Sequence, residues 1–138
     1  MARIDAIMIA RCVENLFRAQ GCRVTHEYSL PNRRRLDVAG FSSAGFLFGC
    51  EIKIDMRDFN RDMKWMDYAR FCKLFFIAVP VGFDVDKIPL GPGVIMCDGN
   101  TAIFVRRNRW PSPRRGVGLS QAGPQWYGSG HAASIPRL

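Results

Sequence analysis

The sequence predicts an α/β domain on a mixed central β-sheet, a three-stranded antiparallel meander continued by a parallel strand and flanked by helices. Three observations carry that expectation. Apolar residues recur at helical spacing over residues 3–20, three period-two runs follow with short turns between them, and a second helical segment leads into the apolar run "KLFFIAVP". A helix placed between two strands of one sheet makes a crossover, so those strands should be parallel and the connection right-handed.

The elements follow in order. In the first helix Ile4, Met8, Cys12 and Leu16 repeat every four residues. Ile9, Val13 and Phe17 widen that stripe and leave Arg11, Glu14, Asn15 and Arg18 mostly outside. Gly21 is a natural stop. "CRVTHEYSL" (22–30) alternates as a strand, with Val24, His26 and Tyr28 set against Arg23, Thr25 and Glu27. After the "PN" turn, residues 33–41 form a second strand. Leu36 and Val38 are expected on one face, and Arg35, Asp37 and Ala39 on the other. "SSAG" turns into a third strand, 46–54, apolar until Glu51 and therefore central. A loop at 56–60, with Asp58 or Asn60 as cap, opens a helix reaching about Cys72. "GVIMCDGNTAIFV" (93–105) reads as a hairpin around Asp98-Gly99-Asn100.

Residues 1–106 thus make one domain and residues 107–138 a tail. From Arg106 to Leu138, nine of 33 residues are Pro or Gly, a share typical of irregular or disordered chain. The same stretch has six arginines and no acid. Of the net charge of +8, only +2 is left for the preceding 105 residues. Such a tail suits a polyanion such as nucleic acid, and equally suits plain solvation.

Other classes are disfavoured. No apolar run is long enough to span a bilayer, and the N-terminus lacks a signal-peptide pattern, so a cytoplasmic protein without membrane association is expected. The five cysteines are scattered singly with no CxxC, which points to reduced, buried thiols. His26 and His131 are too few for a histidine zinc site.

The charges with a chemical use lie in "RRRLDVAGFSSAGFLFGCEIKIDMRDF" (33–59). In a strand Glu51 and Lys53 share a face, roughly 6.6 Å apart, while Cys50, Ile52 and Ile54 take the other face and bury. If the hairpin register sets Asp37 opposite Glu51, two carboxylates converge beside a lysine. Two carboxylates suit a hard cation such as Mg²⁺. That cation would polarise a phosphate and acidify a bound water, and the lysine would stabilise charge on the phosphoryl oxygens. The same residues also suit a salt-bridged polar sheet face, with Lys53 paired to Glu51 or Asp37.

The arrangement strand–Asp–strand–Glu-x-Lys, between one helix and a helix–strand unit, resembles the PD-(D/E)XK nuclease superfamily. It is most similar to the MmcB-like DNA repair branch. The resemblance rests on Glu27, "RRLDV" (34–38), "EIK" (51–53), the run Asp58, Phe59, Asp62, Lys64, Trp65 and Tyr68, "FFIAVP" (75–80) and "GVIMCD" (93–98), and covers residues 3–106. It implies a restriction-endonuclease-like core. Asp37 and Glu51 would be metal ligands, assisted by the Ile52 carbonyl, and Lys53 the catalytic lysine, with Mg²⁺ or Mn²⁺ as cofactor. Asp58, Asp62, Lys64 and Tyr68 would line the cleft, with Lys64 facing the site. Trp65 and Phe59 read better as core packing. Glu27 either binds metal through water or, in the favoured reading, pairs with Arg34 or Arg35. Glu14 lies where some superfamily members carry an acid. Three departures stand out. Leu36 replaces the family proline, Asp55 follows the triplet where a small residue is expected, and the tail cannot supply the usual closing helix.

The function expected is a metal-dependent DNA endonuclease or repair nuclease, acting on branched, damaged or single-stranded DNA. Arg33, Arg34, Arg35, Arg57, Arg61, Arg106, Arg107 and Arg109 would contact the DNA backbone without reading sequence. The alternatives are a DNA-binding repair accessory protein that does not cleave, and an adaptor working through its Pro- and Arg-rich tail. The oligomeric state is left open, a homodimer included.

Overall fold

The computed structural model describes residues 3–57 and 64–109. Helix α1 (Ala6–Ala19) opens at Asp5, whose carboxylate accepts the Met8 N–H at 2.9 Å. That bond satisfies one of the donors every helix start leaves open. The helix ends before Gly21, which takes φ +92° as a C′ glycine does. Its stripe is buried at Ile9, Cys12, Val13, Leu16 and Phe17.

Six strands follow, β1 (Arg23–Ser29), β2 (Arg35–Phe41), β3 (Leu47–Ile52), β4 (Leu74–Pro80), β5 (Gly93–Cys97) and β6 (Ala102–Arg106). They form one open mixed sheet in the order β1-β2-β3-β4-β5-β6. The first three strands are the expected antiparallel meander, β3 and β4 are parallel, and β5 and β6 form the expected hairpin. The parallel pairing of β4 with β5 completes the sheet. At the hairpin tip the Asp98 carboxylate accepts the Asn100 and Thr101 N–H groups, and Gly99 sits at φ +103°. Between β3 and β4 the described helix is the short α2 (Met66–Ala69). The expected capping by Asp58 or Asn60 falls at positions outside the described residues, as do Phe59, Arg61 and Asp62.

The sheet separates two cores. On one face α1 packs Ile9, Val13 and Phe17 against Val38, Phe48, Cys50, Phe76, Ala78 and Ile95. On the other, Leu36, Ala39, Phe75, Ile77, Val79 and Val94 pack with Ala69 and Ile88, joined by Trp65, Tyr68 and Phe71. Trp65 is thus a packing residue, as expected. β4 alternates cleanly between the two cores.

β1 and β2 do not, and here the structure corrects the expected alternation. Leu36 lies in the α2-side core and Val38 in the α1-side core, so they are not on one face. In β1, Val24 packs on the α1 side, and His26 bonds Glu14 of α1, whereas Tyr28 packs on the other side. Both strands change faces at one level, Glu27 and Asp37. Glu27 has φ +52°, a left-handed conformation, and no bridge joins it to Asp37 although His26↔Val38 and Tyr28↔Leu36 pair on either side. The β2–β3 ladder ends at Val38↔Cys50, one residue short of Asp37.

Beyond β6, Asn108 accepts the Phe75 N–H through its side chain at 2.9 Å, and the Arg109 N–H donates to the Gly91 carbonyl at 2.7 Å. The rest of the expected tail, residues 110–138, lies outside the described residues. All five cysteines are free, four of them buried. Among the described residues no helix is long and apolar enough to cross a membrane.

Candidate active site

At the level where the ladder stops, side chains replace main-chain pairing. The Asp37 N–H donates to Glu51 Oε1 at 3.2 Å, and Asp37 Oδ2 accepts the Ile52 N–H at 2.8 Å. Each strand is thus held by the other's carboxylate. The register that pairs Val38 with Cys50 sets Asp37 opposite Glu51, as the hairpin required.

Glu51 is the one charged side chain buried among the described residues, at 8% exposure. Burial pushes its carboxyl group up to about 8, helped by the charge of Asp37 and by a hydrogen bond between the two carboxyl groups. The Tyr68 hydroxyl and the Lys53 ammonium act in the opposite sense. Tyr68 is itself raised to about 12 by burial and by the Glu51 charge. Its ring stacks on Phe75, centroids 5.6 Å apart, under the Arg34 guanidinium at 5.5 Å. Cys50, Ile52 and Ile54 pack toward α1, the expected face, and the Lys53 N–H donates to the Ala78 carbonyl at 2.9 Å.

The structure therefore brings Asp37, Glu51, Lys53 and Tyr68 together. It distributes the other residues differently. Arg35 pairs with Glu27 at 2.8 Å, the favoured reading of Glu27, and Arg34 pairs with Asp67 at 3.1 Å. Arg57 is exposed and lies 3.6 Å from Asp55. Arg33 is exposed at φ +74°, and Lys64 is exposed. Arg106 donates to the carbonyls of Ile88, Pro89 and Pro92, bracing the loop before β5. Arg107 and Arg109 are exposed. Asp58, Arg61 and Asp62 fall outside the described residues.

A family described as DNA repair protein MmcB-like matches residues 3–114. The chain belongs to that family. A solved structure supports the same architecture for this MmcB-like chain. It is the SPO1766 protein of unknown function from Silicibacter pomeroyi, 26% identical, aligned over 88% of this chain and 82% of that one with a TM-score of 0.72. No curated protein matches the chain.

One feature of the MmcB-like domain escaped sequence reasoning. A cleft of about 620 Å³ opens between the first turns of α1 and the ends of β1, β2 and β3, and Asp37 forms part of its wall. Arg11, Glu14 and His26 line it too. Glu14 accepts from Arg18 and contacts His26 Nε2 at 2.8 Å, and these partners hold its carboxyl group below the usual range. The outward face of α1 held the signal, since Ile7, Arg11 and Glu14 follow one another at helical spacing. Alternation alone could not show that His26 would turn toward it.

Proposed function

We propose that this protein is a metal-dependent DNA repair nuclease that hydrolyses phosphodiester bonds at Asp37, Glu51 and Lys53 on a PD-(D/E)XK-type core. The observation that carries the reading is the reciprocal bonding of Asp37 and Glu51 across the point where β2 and β3 part. Membership of a DNA repair family supplies the substrate class.

The donor set suits a hard cation. Two carboxyl groups of which one, buried and beside the other's charge, is driven to keep its proton form a place where a divalent ion relieves repulsion. Among the described residues no group of three or more His, Cys, Asp or Glu could hold a metal. Mg²⁺ or Mn²⁺ here would rest on Asp37, Glu51 and the Ile52 carbonyl, with waters completing the shell. When bound, the ion supplies charge neutralisation and an acidified water.

The remaining work falls to the chain. The Ile52 N–H fixes the Asp37 carboxylate, and the Asp37 N–H and Tyr68 hydroxyl fix Glu51, so neither ligand reorients as charge develops. Lys53, electrostatically coupled to Glu51, offers its ammonium to the phosphoryl oxygens. Arg33, Arg57, Arg107 and Arg109 are exposed for phosphate contacts beyond the site.

The test incubates wild type, Lys53→Ala and Asp37→Asn with single-stranded, nicked and branched DNA plus Mg²⁺ or Mn²⁺. Metal-dependent products from wild type and none from the variants are expected. Cleavage that persists unchanged in both variants removes the assignment. The second reading is a repair accessory protein that binds DNA without cutting it. The burial of Glu51 favours it, since a ligand so enclosed meets a phosphate less readily. Salt-sensitive, metal-independent DNA binding without products would select it.

A further inference from the structure

The cleft beside Asp37 shares Asp37 and Ile52 with that reading, but its α1 wall has no part in it. Its acids are largely spoken for. Glu14 is held by Arg18 and His26, and Glu27 by Arg35. Arg11 lines the cleft, is exposed, and makes no ion pair among the described residues. One helical turn earlier Ile7 is 70% exposed on the same face of α1, the most exposed large apolar side chain among the described residues. The small Ala6 and Ala10 leave space behind it, and Ile52 and Ile54 form the opposite apolar wall. Among the described residues the cleft therefore offers a free cation, an apolar slot and a volume of about 620 Å³, within the roughly 300–1,000 Å³ that small ligands occupy.

We propose that this cleft takes one unpaired nucleotide of a DNA single strand. Its phosphate lies on the Arg11 guanidinium and its base between Ile7 and the Ile52–Ile54 wall. A base inside a duplex is stacked and paired and cannot enter such a slot without being extruded. Single strands are generally held without reading sequence by cations on the backbone and flat contacts on the bases, and here Arg11 and the isoleucines take those two parts, with Glu14 and Glu27 held by Arg18, His26 and Arg35. Because Asp37 belongs to both the cleft and the carboxylate pair, a strand seated here passes the candidate active site. The substrate class is then single-stranded or frayed DNA. This assignment rests on the reading of the protein as acting on DNA, and not on cleavage.

The test is made in EDTA, so that binding is read without chemistry. Anisotropy of a labelled thymidine oligonucleotide is compared with that of a duplex of equal length, for wild type and Arg11→Glu. The single strand should bind more tightly, and Arg11→Glu should weaken it about tenfold while leaving duplex binding unchanged. Ile7→Trp adds a local reporter whose extra emission, relative to wild type, should be quenched by the strand. Both positions are exposed, so circular dichroism should report an unchanged fold. Equal or tighter duplex binding, an unimpaired Arg11→Glu variant, or an unquenched Trp at saturation would each overturn the proposal. Strand binding in the cleft by a protein that cuts no DNA upholds it while removing the nuclease reading. Duplex cleavage that Arg11→Glu leaves intact does the reverse.

Discussion

Asp37 and Glu51 exchange bonds across β2 and β3, each carboxylate accepting a main-chain N–H of the other strand. The donors that a continued ladder would have used are satisfied by side chains, so the strands separate without leaving buried polar groups unpaired. The candidate chemistry and the local architecture therefore depend on the same two residues.

Lys53 and Asp37 should fail differently. Lys53→Ala should reduce cleavage at least ~100-fold, the scale of losing one charge-stabilising donor, with little change in melting temperature. Asp37→Ala should abolish cleavage and also destabilise the fold by about 1–3 kcal/mol, because the Ile52 N–H loses its acceptor. Parallel activity and denaturation measurements separate the two effects.

Stability of the metal-free protein should fall as pH rises from about 4.5 to about 8 and level off above that. Glu51 is raised in the folded state, so its contribution is complete below its unfolded value near 4.5 and is lost as pH passes its folded value. A tenfold change in proton affinity is worth about 1.4 kcal/mol, so the loss is of the order of a few kcal/mol. Glu14 and Asp98 are shifted downward and weaken the fold only as pH falls below the ordinary carboxylate range, and the raised thiols of Cys12, Cys22, Cys50 and Cys72 act only as pH approaches 9, leaving the window between to Glu51. Urea midpoints between pH 5 and 8 should show the slope for wild type and lack it for Glu51→Gln.

Mn²⁺ should raise the melting temperature by several degrees at saturation, since about 100 times the dissociation constant contributes ~2.7 kcal/mol. The gain should be larger at pH 8 than at pH 6, because binding must displace the proton that Glu51 retains. Asp37→Asn should remove the gain, and thermal shift with and without EDTA reads it directly.

Gly49→Ala should cost about 1–3 kcal/mol by overpacking. A Cβ there would lie 2.7 Å from Cys72 Sγ and 2.9 Å from a Leu36 methyl. Gly49 is one residue from Cys50 and two from Glu51, so a small loss of activity should accompany the lower urea midpoint.

Much of this was legible in the sequence. The α1 stripe and the apolar runs of β3 and β4 are dictated by burial, which writes its period into the residues. Cys50, Ile52 and Ile54 could be placed on one face for the same reason, although β3 itself ends at Ile52, before Lys53. The face change of β1 and β2 was not legible, because "THEYS" and "RLDVA" alternate plausibly in either setting. Which setting wins depends on Glu27 taking a left-handed backbone and on Asp37 giving its N–H to a side chain 14 residues away. The Arg35–Glu27 pair was legible as one of two choices for Glu27, whereas the meeting of Arg34 with Asp67 depends on the crossover between β3 and β4.

The change of faces at Glu27 and Asp37 also means that the two hydrophobic layers are stitched together there. Val24 and Val38 belong to one layer, Tyr28 and Leu36 to the other, and the same two strands carry both. A substitution that displaces Asp37 should therefore disturb both layers at once. The Asp37–Glu51 pair is then a seam between the two layers as well as a candidate ligand set.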